Sequence, residues 1–79
     1  MMLQKSYVFK SRADCAECEQ AIDLALGNKE IKSIPEPSWY APPIDEMGQA
    51  VFFEKINDGS VWVLVLPERV SFGYWKQIK

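Results

Sequence analysis

Val61-Trp62-Val63-Leu64-Val65-Leu66 is apolar at six consecutive positions. Successive side chains of a strand point to opposite faces, so a strand with one face in water alternates apolar and polar residues. A run without that alternation predicts a strand covered on both sides, the central strand of a sheet. Pro67 ends it, because proline cannot donate to a ladder. Just upstream, Asn57-Asp58-Gly59-Ser60 reads as a hairpin turn, with glycine able to accept positive φ, and residues 49–56 supply the strand before it. Downstream, Val70, Phe72 and Tyr74 alternate with Ser71 and Gly73, which predicts a further strand running toward Trp75 and Ile78.

Ahead of this meander, residues 3–11 read as a strand, with Tyr7 and Phe9 on one face and Val8 on the other. Ser11 or Asp14 then caps a helix, Asp14 and Glu17 having the spacing of a capping box. At about 100° per residue, Cys15, Cys18, Ile22, Ala25 and Leu26 share one stripe. Gly27-Asn28 is the stop, glycine being suited to the left-handed position after a helix. From 32 to 48 the pattern dissolves. Pro35, Pro37, Pro42 and Pro43 remove backbone donors and push their neighbours toward extended geometry, and Asp45-Glu46-Met47 adds at most one helical turn. The expected fold is α+β: one helix on a mostly antiparallel four-stranded sheet, in the order strand, helix, long loop, strand, strand, strand.

Seventy-nine residues are enough for one small domain over 1–79, and the apolar fraction of 48% with three Trp, three Tyr and four Phe gives it a core despite its size. A net charge of −2 argues against nucleic acid, which is bound by a basic face. No run approaches the roughly 18 apolar residues of a membrane span. Residues 1–6 lack the apolar region of a signal peptide, and two cysteines do not make a secreted disulfide framework. A cytoplasmic location is expected.

Cys15-Ala16-Glu17-Cys18 stands at the mouth of the helix after a strand, an arrangement used in dithiol redox chemistry and in soft-metal capture. Strand, Cys-x-x-Cys and helix together resemble glutaredoxins. That likeness implies a nucleophilic Cys15 whose pKa the helix dipole lowers. The spacing Cys15, Cys18, Ile22, Leu26 also resembles heavy-metal-associated domains, which implies two thiolates around a soft cation such as Cu(I). Each likeness covers about 20 residues, and the chain departs from both elsewhere. No proline directly precedes the 49–56 strand, Ala16-Glu17 separates the cysteines where glutaredoxins favour Pro-Tyr, and no second helix precedes the last strand. No family is assigned. A third reading makes both residues buried core thiols on the Ile22–Leu26 stripe. Two cysteines without histidine do not close a four-ligand zinc site in one monomer, so no metal or other cofactor is expected.

The chain has no histidine, hence no Ser-His-Asp arrangement and no imidazole base at neutral pH. Asp45 and Glu46 are sequence neighbours that point apart, and the four glycines form no phosphate-binding loop. Enzyme activity other than dithiol exchange is not expected. Protein binding is better supported. Trp39-Tyr40 lies in the proline-rich loop, outside any periodic pattern, and such aromatics either anchor a partner or cover the chain's own sheet. Glu17, Glu19 and Asp23 make the outer helix side acidic with Leu24 among them, a surface suited to a basic partner. The expectation is a small non-enzymatic interaction module, an inhibitor or modulator acting by surface occlusion. The alternative is a dithiol redox or soft-metal protein using Cys15 and Cys18. Compact acidic chains of this kind resemble, in general character, inhibitors carried by phages and other mobile elements. The partner is another protein of unspecified identity, and a homodimer is left open.

Overall fold

A computed structural model describes residues 2–41, 49–69 and 71–79 of the chain. A short 3₁₀ helix, Met2–Gln4, leads into β1 (Tyr7–Val8), α1 (Arg12–Gly27), β2 (Ile31–Ile34), β3 (Ala50–Lys55), β4 (Val61–Val65) and β5 (Tyr74–Gln77). Every pairing is antiparallel, and the strand order is β1-β5-β4-β3-β2. The class is α+β and β4 is central, but among the described residues the sheet has five strands rather than four. No helix among the described residues is long and apolar enough to cross a membrane.

The extra strand is β2, which begins at Ile31 and runs into the 32–48 stretch expected to be irregular. Ile31 to Ile34 pair with Lys55 to Phe52, Ile31 is buried, and Lys32 Nζ lies 3.1 Å from Glu54 Oε1 on the neighbouring strand. Four residues are too short to display a period, and the prolines break the chain only from Pro35 onward. The first strand is likewise shorter than expected. Leu3 is buried in the 3₁₀ helix, and its carbonyl accepts the Trp75 indole N–H at 3.3 Å. The last strand starts later than the alternation suggested. Gly73, at φ 84°, turns the chain into β5, and a Cβ there would collide with the Val65 carbonyl oxygen. Phe72 precedes this bend and is exposed. Val70, Pro42, Pro43 and the turn expected at Asp45-Glu46-Met47 lie outside the described residues.

The N-cap of α1 is Ser11, whose Oγ accepts the Asp14 N–H at 3.2 Å. Asp14 reaches back past the cap to accept the Lys10 N–H at 2.8 Å, so the cap is built on Ser11 and Asp14 and not on Asp14 and Glu17. At the other end Glu30 N–H bonds the Ala25 carbonyl and Lys29 N–H bonds the Leu26 carbonyl, which is a Schellman closure. Its left-handed residue is Lys29, at φ 60°, rather than glycine; Gly27 is the last helical residue.

The sheet has two unlike faces. On one, Cys15, Cys18, Ile22 and Ala25 of α1 join Phe53, Trp62, Leu64 and Trp75 in the larger core. Trp62 and Trp75 stack with centroids 5.3 Å apart. Leu26 was expected on this stripe, but it is 37% exposed. The chain reversal brings Ile31 back into the same core as Ala25. On the opposite face Phe52, Val63 and Val65 form a second cluster, covered by Ile34, Tyr40, Ala50, Tyr74 and Ile78. Covering both faces is what lets all five residues of β4 be buried.

Candidate functional site

The Cys15 and Cys18 side chains point inward from the first two turns of α1. Both are buried, and both are free thiols. Cys15 Sγ donates toward Glu19 Oε1 at 3.5 Å. Burial pushes the Cys15 thiol up to about 11, and the adjacent Glu19 carboxylate adds to the shift because a thiolate would face a second negative charge. Cys18 is also raised by burial, partly offset by a hydrogen bond from the Tyr7 hydroxyl. The same burial, with that bond and the nearby Asp14 and Glu17, raises Tyr7 above the ordinary phenol range. A reactive cysteine needs an electropositive, accessible setting. This pair sits in an apolar, electronegative one, and at neutral pH both sulfurs carry their protons. Among the described residues no group of three or more His, Cys, Asp or Glu is placed to hold a metal ion.

Trp39 and Tyr40 lie on the other side of the sheet. The segment leaving β2 turns at Pro37, whose carbonyl accepts the Tyr40 N–H at 3.1 Å. Tyr40 meets Phe52 edge to face with centroids 5.1 Å apart, so it closes the second cluster. Trp39 takes no part in that contact and is 50% exposed, with Lys79 Nζ 5.8 Å from its ring centroid. Adjacent aromatics thus take different parts: Tyr40 fixes the segment and Trp39 is presented.

Glu17, Glu19, Asp23 and Leu24 are all exposed on α1, Leu24 at 70%. They are not one patch. On the helix circumference Glu19 and Asp23 run along one flank, four residues apart, while Glu17 and Leu24 share the other. The sheet lies between this helix and the Trp39 segment, so the structure does not bring the two candidate surfaces together.

Two participants escaped sequence reasoning. Tyr7, beside Cys18, comes from a strand eleven residues earlier, and Lys79, beside Trp39, lies forty residues later, just past the end of β5. Neither spacing carries a local period. Only the pairing of β1 with β5, and of β5 with β4, puts these side chains where they are. No family model, curated protein or solved structure matches this chain.

Proposed function

We propose that this chain is a small non-enzymatic protein-interaction module, an inhibitor or modulator that works by covering part of a partner's surface, with Trp39 as its anchor. The observation that supports this reading is the split between neighbours: Tyr40 is packed on Phe52 while Trp39 stands half exposed beside it. A large aromatic held in place by its neighbour loses little entropy on docking, which is the property of an interface anchor. The raised thiols support the same reading, because protonated, buried sulfur is a poor nucleophile and a poor metal ligand. The flanks of α1, with Leu24 exposed beside Glu17, form a second candidate surface.

The test uses immobilised wild type, Trp39→Ala, Tyr40→Ala and the double variant Cys15→Ala/Cys18→Ala, each exposed to extract of the native host after its thermal midpoint has been measured. Trp39→Ala is expected to keep the wild-type midpoint and to weaken capture of the bound protein by roughly 30-fold, about 2 kcal/mol. Tyr40→Ala is expected to lose stability. Unchanged capture by a folded Trp39→Ala would remove this segment and leave Glu17, Glu19, Asp23 and Leu24. Loss of capture by a folded cysteine variant would favour the dithiol or soft-metal reading instead.

A further inference from the structure

Charge is segregated along this chain. Residues 2–11 and 71–79 contain four lysines, Lys5, Lys10, Lys76 and Lys79, and neither aspartate nor glutamate. The rest of the chain holds five basic and eleven acidic residues, so the overall −2 is +4 in these two segments set against −6 elsewhere. The sheet places the two segments side by side. Tyr7 lies opposite Trp75 and Val8 opposite Tyr74, and Ser6 Oγ accepts the Gln77 N–H at 2.9 Å. All four lysines are exposed. The strands β1 and β5 therefore bring four lysines to one margin of an acidic protein, with Asp14 and Glu17 near Tyr7 on the α1 side.

That margin is also apolar. Val8 is 69% exposed, and a groove of about 410 Å³ runs along it, lined by Ser6, Tyr7, Val8, Tyr74, Trp75 and Lys76. On the face away from α1, Tyr74, Lys76 and Ile78 follow one another at alternate positions over about 13 Å. The row ends at Lys79, which meets Trp39. The half-exposed tryptophan is thus the end of a strip and not an isolated anchor.

We propose that Val8, Tyr74, Lys76, Ile78, Lys79 and Trp39 form one docking strip, and that its partner is a protein segment with acidic side chains around an apolar centre. The inference rests on the interaction-module reading and specifies the partner for it. Charge complementarity carries the acidic half: a cationic margin on an anionic molecule attracts negative surfaces and orients them, while the remainder of the molecule repels them. Exposed Val8, with the partly buried Tyr74 and Ile78 on the same face, carries the apolar half. A nucleic-acid strand would use the lysines with Tyr74 and Trp39 as stacking rings, but the aliphatic Val8 and Ile78 beside Tyr74 give its bases nothing to stack on and favour a protein segment.

The probes are a displayed random dodecapeptide library and a short labelled oligothymidylate, each presented to wild type, to Trp39→Ala and to Lys76→Glu/Lys79→Glu. Wild type is expected to retain peptides enriched in Asp and Glu around Leu, Phe or Trp. Their affinity should fall several-fold between about 50 mM and about 300 mM salt, as screening shortens the reach of the lysines. Lys76→Glu/Lys79→Glu, with an unchanged thermal midpoint, should bind them at least about tenfold more weakly. If that variant fails to fold, Lys76→Gln/Lys79→Gln serves in its place. Retained peptides without acidic excess, or equal affinity for the charge variants, would overturn the acidic partner; dependence on Trp39 in the same experiment would leave the module reading standing. Retention of the oligothymidylate and of no peptide would replace the protein partner with nucleic acid. Retention of neither would overturn the strip, and the captures from host extract would then decide the module reading separately.

Discussion

Ionising Cys15 inside the fold would put a charge in the cluster that holds Leu3, Phe9 and Ile22, beside the carboxylate of Glu19. In the unfolded chain the same thiol ionises near its ordinary value of 9.0, whereas in the fold it holds its proton up to about 11. The folded state therefore binds the proton more tightly, and stability must fall as pH rises across that interval. It is fully present below about pH 9 and declines toward pH 11, with Cys18 contributing in the same direction and Tyr7 adding a loss above its own ordinary value of 10.0. Urea denaturation at a series of pH values checks this. Wild type should lose stability from about pH 9 upward, and Cys15→Ala/Cys18→Ala should flatten the first part of the decline while costing on the order of 1–2 kcal/mol at pH 7. A wild-type profile flat to pH 11 would show that the thiols are not held as described. The sequence placed both cysteines on the buried stripe correctly. The setting that keeps them protonated was not legible, because Tyr7 arrives through the tertiary fold.

At the scale of elements, the legible parts were those that carry their own period or punctuation. The unbroken β4 run, the Asp58-Gly59 turn and the helical stripe as far as Ala25 survive in the structure, the hairpin closing with Lys55 N–H on the Ser60 carbonyl at 2.8 Å. Asp58 also accepts from the backbone and hydroxyl of Ser60, and these bonds lower its pKa. Short elements defined by their partners were not legible: β2 is recognisable only against β3, and β1 only against β5. The left-handed residue that closes α1 was misplaced by two positions, at Gly27 rather than Lys29, with a physical consequence. Lys29 takes the left-handed conformation in which an L side chain crowds the backbone, while Gly27 occupies a helical position with open space where a Cβ would stand. Both residues are therefore suboptimal. Lys29→Gly and Gly27→Ala should each stabilise the protein by about 0.5–1 kcal/mol, seen as a rise of several degrees in thermal midpoint. If Lys29→Gly lowered the midpoint, the helix would have to close in another way.

At the scale of the whole molecule, Trp75 of β5 joins parts of the chain that are far apart in sequence. This residue is fully buried, stacks on Trp62, lies against Phe53 at 6.1 Å, and donates its indole N–H to Leu3 at the far end of the sequence. One side chain thus joins the 3₁₀ helix, β3, β4 and β5 to the core that α1 completes. Trp62 is nearly as buried, but its setting is more local: its indole N–H goes to Ser60 at 2.8 Å, and the Lys55 ammonium lies 4.4 Å from its ring centroid. The central β4 run marked Trp62 as a core residue at once. The rank of Trp75 emerges only from contacts that span the chain. A domain of this length has a total stability of about 4–12 kcal/mol, and removing a buried tryptophan costs about 3–5. Trp75→Ala should consequently lose the cooperative transition or shift it to the edge of measurable stability. Trp75→Phe should retain a fold that is weaker by about 2 kcal/mol, because it keeps most of the apolar volume and loses the bond to Leu3. Trp62→Ala should be damaging to a lesser degree, since its outer contacts are made with an exposed turn. Denaturant titration of the three variants checks the order, and a Trp75→Ala protein within about 1 kcal/mol of wild type would mean that the chain ends do not close the core together.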